Sequence, residues 1–417
     1  MGSGKSSAAI NYMKQHSDRR FMYITPYLSE IARVVAACPE AKLMEPGEYG
    51  GRTKSQDLEV LLKTKHSVAT THALFSAMKT ETLELIRSGH YTLIMDEVMN
   101  VIEIDDMPKS DIDNYIHKGI FVRAEDGEHL LWGGIEDYSG HFTDTVNMAK
   151  RGNLIYYDDT LLFWTLPVAN FEVFDEVFVL TYMFNAQIQR YYYDMHNLEY
   201  ELIGVEKVDG EYRFCGEPAA PADSSDLINK IHILEDNKLN AIGVSDRYVN
   251  PVKDPTLSSS WYRRSTERGN PNYEYLRKHA VTVQKTRFKC TYDDLIWTTF
   301  EERRDRLEFT VNNKGKKVRC LPEHGFVACT TRATNEFRDR HNLIYPINYY
   351  PHPITSRYLK DHGAEMDQDA YSLSEFLQWL WRSAIRCGED INVYIPSRRM
   401  RTLLRNWLQR LADGHPY

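Results

Sequence analysis

Through the first half of the chain, short apolar runs rich in β-branched residues alternate with longer amphipathic stretches. The runs at 21–25, 67–71, 93–97 and 177–181 are bounded by polar or turn residues and read as strands, with helix-like patterns between them at 27–37 and 57–63. Strands without polar alternation are buried on both faces, so this rhythm predicts βαβ units on a parallel sheet. An acidic, loop-rich stretch at about 103–158 interrupts it as an insertion. From residue 187 the pattern changes. Tyr-rich or alternating segments at 191–193, 198–205 and 212–215 predict strands, and the Pro-, Ala-, Asp- and Ser-rich stretch 216–225 predicts a loop. A second series follows, with strands at 241–244, 295–299, 326–329 and 391–395 and a helix at 372–387. The fold class expected is α/β, with one domain at 1–186 and another at 187–417.

Length supports more than one domain: 417 residues exceed the usual size of a single core. With 42% apolar and 26% charged residues the chain is neither disordered nor coiled coil. It has no apolar run of about 18 residues and no signal-like start, so a cytoplasmic protein without a membrane partner is expected. Six scattered cysteines, none in a Cys-x-x-Cys pair, agree with reduced thiols. The formal charge of −8 argues against a uniformly basic nucleic-acid coat, but it hides a division. Residues 1–250 carry 23 Lys/Arg against 39 Asp/Glu, and residues 251–417 carry 28 against 20.

Gly2-Ser3-Gly4-Lys5-Ser6-Ser7 has the form of the second half of a phosphate-binding loop, followed by a helix at 7–15. Glycines let backbone amides face a β-phosphate, the lysine reaches β/γ oxygens, and the Ser6 hydroxyl ligates magnesium. The full motif has another glycine five residues before Gly4 and a strand before that, so a first strand is expected upstream of Met1 or from another segment. A second element completes the pair. The apolar strand Tyr91-Thr92-Leu93-Ile94-Met95 ends in Asp96-Glu97, which suits Asp96 to hold magnesium and Glu97 to polarise an attacking water.

With these residues in place the chain resembles the superfamily 2, DExx-box helicases and translocases. Gly2–Ser7 is similar to motif I and Asp96-Glu97-Val98-Met99 to motif II. Ile24-Thr25-Pro26 is similar to motif Ia, Ala69-Thr70-Thr71-His72-Ala73-Leu74 to the following strand-end motif, and Thr181 keeps the threonine of motif III. Thr330-Thr331-Arg332-Ala333-Thr334-Asn335 looks like motif V, and the segment from Gln378 to Arg386 like motif VI, with Trp381 at its glycine and the second arginine one position late. The style of the C-terminal segment looks most like helicases encoded by tailed bacteriophages. The resemblance implies two RecA-like P-loop domains in tandem, ATP and Mg2+ as cofactors, and ATP hydrolysis coupled to movement on DNA, with RNA also open. It implies Gly2, Ser3, Gly4, Lys5, Ser6 and Ser7 for ATP, Ser6 and Asp96 for the metal, and Thr181 for coupling. The catalytic residues it implies are Lys5, Asp96, Glu97, Gln378, Arg382 and Arg386, one of the two arginines being the finger.

Gln378, Arg382 and Arg386 are spaced to share one face of a continuous helix. For the track, Thr25, Pro26, Thr70, Thr71, His72, Thr330, Thr331 and Arg332 are candidates, since hydroxyls and amides at strand ends grip phosphate without reading bases. Taken one at a time, each threonine is as well explained as a helix cap. Asn312-Asn313-Lys314-Gly315-Lys316-Lys317 predicts a basic hairpin tip, and Ser397 a helix cap. Two other readings remain: a terminase-type packaging ATPase, and a non-catalytic nucleic-acid-binding protein on a helicase scaffold.

Overall fold

The computed structural model describes residues 4–134, 138, 140–216, 226–243, 255–265, 272–311, 314–330 and 336–415. The expected loop at 216–225, Gly2 and Ser3, the Asn312-Asn313 tip, and Thr331 and Arg332 lie wholly or almost wholly outside them. The chain is α/β and forms two compact units, each built on a four-stranded parallel sheet. One comprises Gly4–Glu217 with Ile354–Met366, and the other Pro218–Pro353 and Asp367–Tyr417, with Met1–Ser3. Among the described residues no helix is long and apolar enough to cross a membrane.

In the first unit the strand order is Val68–Thr71, Arg20–Thr25, Tyr91–Asp96, Glu176–Leu180, all parallel. The register sets Tyr23 beside Ile94 and Ile24 beside Met95. Phe21, Tyr23 and Ile94 therefore share one face, where Ala9, Ile10 and Met13 of the helix Lys5–Gln15 and Ile31 and Val34 of Leu28–Ala37 bury them. The insertion forms a five-stranded antiparallel sheet between Ile102 and Thr165, with its own core around Phe121, Leu130, Leu154 and Leu162. Against it packs the returning segment Ile354–Met366. The Tyr358 ring lies 5.2 Å from Phe163, His362 meets Glu128 at 3.1 Å, and the Tyr157 hydroxyl donates to Asp361. Nothing in the sequence pattern marks that return.

Residues 191–193, expected as a strand, lie in the helix Ile188–Met195. Their aromatic side chains suit a strand, but tertiary contacts decide otherwise. Gln189 donates to the Tyr193 hydroxyl at 3.0 Å one helical turn away, and Tyr192 donates to the Leu166 carbonyl. Of the run 198–205 only its end is strand, in the hairpin Gly204–Val208 with Glu211–Cys215. Its turn is Asp209-Gly210, with φ of 52° and 88°, the left-handed pair that a two-residue hairpin needs.

The second sheet runs Ile231–Ile233, Ile391–Tyr394, Asn342–Ile344, Leu295–Trp297, again parallel. Residues 241–243 of the strand expected at 241–244 instead lie in the 3-10 turn Leu239–Gly243, which the Asp236 carboxylate opens by accepting the N–H groups of Lys238 and Leu239. The run 326–329 contributes only an isolated bridge between Trp297 and Phe326. The helix expected at 372–387 breaks into Gln368–Leu380 and a short 3-10 segment Ala384–Cys387.

Trp379 is fully buried and its indole N–H donates to the Val327 carbonyl at 3.0 Å, tying the helix to the segment that leads to Thr330. Trp379→Ala removes a large core side chain and orphans that carbonyl, and should cost about 3–5 kcal/mol of stability. The check is the urea midpoint, with Trp379→Phe expected between wild type and Ala.

Candidate active site

The strand Tyr91–Asp96 is buried from Tyr91 to Met95 and only half-buried at Asp96. It stops there because Glu97 turns left-handed, with φ of 67°. A left-handed non-glycine residue at a strand end stores strain and is held by its surroundings. Here the Glu97 N–H donates to the Leu180 carbonyl at 3.2 Å, joining two strand ends. Facing Asp96 is the start of the helix Lys5–Gln15, whose N-cap Gly4 is also left-handed, with φ of 77°.

Two hydroxyls fix the Asp96 carboxylate: Ser6 donates to Oδ1 at 3.1 Å and Tyr23 to Oδ2 at 2.8 Å. Burial pushes the Asp96 pKa up, and these two donations counter it only in part. Burial likewise pushes the Lys5 ammonium down, with Glu97 and Asp96 pulling it back. The first turn of the helix has no acidic residue, so Lys5 and the helix dipole present like sign at one place. A cation at a helix N-terminus is locally unfavourable unless an anion is to be held there.

Magnesium and a nucleoside triphosphate fit this donor set. Ser6 and Asp96 already meet within hydrogen-bond reach, as two ligands of one hard cation would, and Lys5 and the amides of the helix start suit phosphate oxygens. Two further participants escaped the sequence reading. Tyr23 sits two residues before the strand end on the face shared with Ile94, and strand alternation could have exposed it. Tyr212, on the Asp-Gly hairpin, lies against Gly4, where a methyl group would stand 2.2 Å from its ring carbon Cδ1. Its neighbour Phe214 stacks on Phe178 with ring centroids 5.2 Å apart, and Asn11 donates to the Tyr212 carbonyl at 3.0 Å. No local sequence signal joins residue 212 to residue 4.

The remaining candidates separate. Thr25 and Thr70 are buried, 1% and 3% exposed, so their hydroxyls do not reach solvent. Thr71 accepts the Leu74 N–H at 3.3 Å as a helix cap. Pro26 and His72 are half-buried, and Thr330 is exposed. Ser7 is exposed in the first turn of its helix. Thr181 directly follows the Leu180 carbonyl that receives Glu97, and its shielded Oγ1 has no hydrogen-bond partner among the described residues.

In the second unit the broken helix overturns the single face expected for Gln378, Arg382 and Arg386. The helix stops at Leu380 because Trp381 to Ser383 turn and the Ala384 N–H donates to the Arg340 carbonyl at 2.9 Å. Gln378 is half-buried on the helix, Arg382 is buried in the turn, and Arg386 is exposed on the 3-10 segment.

Comparison with known proteins adds family and fold. Residues 225–408 match the family described as the YonV C-terminal Rossmann-like domain. The chain is 36% identical over 422 residues to the "SPbeta prophage-derived uncharacterized protein YonV" of Bacillus subtilis (strain 168), covering 98% of this chain and 97% of that protein. Among solved structures it is similar to "XPD_Helicase", with TM-score 0.48, 10% identity and coverage of 100% and 94% of the two chains. It is also similar to "Structure of S. tokodaii Xpd4", with TM-score 0.42, 11% identity and coverage of 97% and 92%.

The raised Asp96 pKa has a consequence for stability. With no metal bound, ionised Asp96 costs stability at neutral pH, and that cost vanishes as pH falls through its raised folded-state pKa. Asp96→Asn should remove the cost and raise the melting temperature of the metal-free protein at neutral pH. Melting followed from pH 7 downward should show the gain shrinking as Asp96 protonates in the wild type.

Proposed function

The chain belongs to the YonV family, and from that premise we propose that it is a superfamily 2 type, nucleic-acid-stimulated ATPase that translocates on or unwinds DNA. The observation that carries this is the meeting of Ser6, Lys5 and Asp96-Glu97, ninety residues apart in sequence, at one end of a parallel sheet. Open α/β sheets bind ligands at the carboxyl ends of their strands, where these residues lie. The prophage origin named for the relative fits a phage role in replication, recombination or repair.

In this reading Lys5 and the helix amides bind the β- and γ-phosphates, and Ser6 and Asp96 hold Mg2+. Gly2 and Ser3, outside the described residues, complete the loop with Gly4 and Ser7. The bound metal and nucleotide supply the charge neutralisation and the transferable phosphoryl group. Tyr23 keeps Asp96 oriented. Glu97, fixed by its left-handed turn, orients the attacking water and takes its proton. Because the Glu97 N–H is bonded to the residue before Thr181, a change at Glu97 is felt at once at the next strand end, which supports Thr181 as the coupling residue. The exposed Arg386 suits the finger role better than buried Arg382, and Gln378 is proposed to assist at the same motif. For the track, the exposed Thr330 is the best supported, with Thr331 and Arg332 beyond it. His72 and Pro26 stand next, and Thr25, Thr70 and Thr71 contribute through backbone geometry.

Lys5→Ala and Glu97→Gln should each abolish phosphate release, and Arg386→Ala should lower turnover by about 10³-fold with nucleotide affinity little changed. Single-stranded DNA should raise the wild-type rate. No stimulation by DNA or RNA at low salt sinks the proposal. The Tyr212 ring against Gly4 favours a second reading, nucleotide binding without turnover. Measurable ATP affinity with no hydrolysis under any of these conditions would select it.

A further inference from the structure

Met44 forms a parallel bridge with Val68, its N–H donating to the Ser67 carbonyl and its own carbonyl receiving the Ala69 N–H, both at 2.9 Å. The bridge is parallel, so the chain leaves Met44 in the direction in which Val68–Thr71 runs, toward the end of the sheet where Thr71, Thr25 and Asp96 close their strands. Three residues on, it makes the turn Gly47-Glu48-Tyr49-Gly50-Gly51-Arg52, in which Tyr49 is 62% exposed.

The turn is built rather than loose. The Asp57 carboxylate, itself only 6% exposed, receives the Gly47 N–H at 3.0 Å on one oxygen and faces the Arg52 guanidinium at 3.6 Å with the other. The Arg52 N–H closes back on the Tyr49 carbonyl at 3.0 Å, and Thr53 with Gln56 forms a reciprocal capping box. Gly50 and Gly51 supply the two left-handed residues, with φ of 59° and 83°. At Gly47 a methyl group would stand 2.2 Å from Cε2 of Tyr49, so the ring lies over the bare Gly47 backbone. One side of the ring is thus seated. Among the described residues no other aromatic ring stacks on it and no cation stands over it. The nearest cation on the turn, Arg52, is already held by Asp57, so the turn offers a π-face and not a free charge.

We infer that Tyr49 is a stacking platform for an unpaired nucleobase of a single strand that crosses the strand-end edge of the first unit. The inference rests on the nucleic-acid reading above and names a contact outside every motif that supports it. A seated ring with one open face, on a clamped turn, loses little conformational freedom when a base stacks on it. Stacking of this kind is tolerant of sequence because every base has a π-face. It gives the first unit, whose Thr25 and Thr70 are buried, a side chain that reaches the strand directly.

The test uses the full chain and a fluorescein-labelled oligo(dT) at low salt. Tyr49→Ala should weaken binding on the order of tenfold, Tyr49→Phe should retain it, and the difference should vanish on an abasic strand of the same length. Tyr49→Trp should show emission, above the background of the native tryptophans, that oligo(dT) quenches. Wild-type binding equalled by Tyr49→Ala, with no quenching in Tyr49→Trp, overturns the platform and leaves the helicase reading standing. A wild type that binds neither oligo(dT) nor RNA overturns both.

Discussion

A half-buried carboxylate organises the first unit. Asp96 sits at the end of a strand whose other residues are sequestered from water, and it is charged at a cost that two hydroxyls relieve only in part. Each of those hydroxyls comes from a different element. Tyr23 is delivered by the neighbouring strand through an in-register pairing, and Ser6 by the first turn of a helix packed over both strands. Lys5 arrives with Ser6 and suffers the opposite desolvation penalty. A cation and a carboxylate that are both partly desolvated gain from a ligand that brings its own opposite charges, and a metal-bound triphosphate does so. The ligand proposed for this place would thus offset the desolvation of both groups.

Strain concentrates at the same place. Gly4 and Glu97 both take left-handed backbone conformations, one opening the helix and the other ending the strand. Glycine adopts that conformation readily; glutamate does not, and it is held by the N–H it donates to Leu180. The bond gives Glu97 and the segment beginning at Thr181 a shared position. If Glu97 orients the attacking water as proposed, this one backbone hydrogen bond is a short physical route from it to the next strand end.

The arginines of the second unit show where helical spacing misleads. Helical spacing alone gives Gln378, Arg382 and Arg386 a common face. The chain instead leaves the helix at Trp381, because the turn to Ser383 lets Ala384 bond to Arg340, and the two arginines separate into one buried and one exposed. Formal charge behaves similarly. The total of −8 says little, since an acidic half and a basic half sum to it, and the contact proposed in the acidic half is an aromatic face rather than a cation.

Much of the site was legible in order along the chain. The apolar run before Asp96-Glu97, the Gly-Lys-Ser start and the alternation of strands with helices each depend on local pattern, and local pattern decides which segments can be buried on two faces. What the pattern could not supply were contacts whose partners lie far apart in sequence. Tyr23 on Asp96, Tyr212 on Gly4 and the return of Ile354–Met366 to the insertion depend on which faces meet after the sheets have formed. The tyrosines at 191–193 are a helix for the same reason: their hydroxyls and rings found partners on a helical spacing, and burial of those groups outweighed the residues' own preference for a strand. Local propensity is worth tenths of a kcal/mol per residue, whereas seating a buried aromatic or satisfying a buried polar group is worth several times that. Sequence therefore decided which elements can exist, and tertiary packing decided which of their side chains meet.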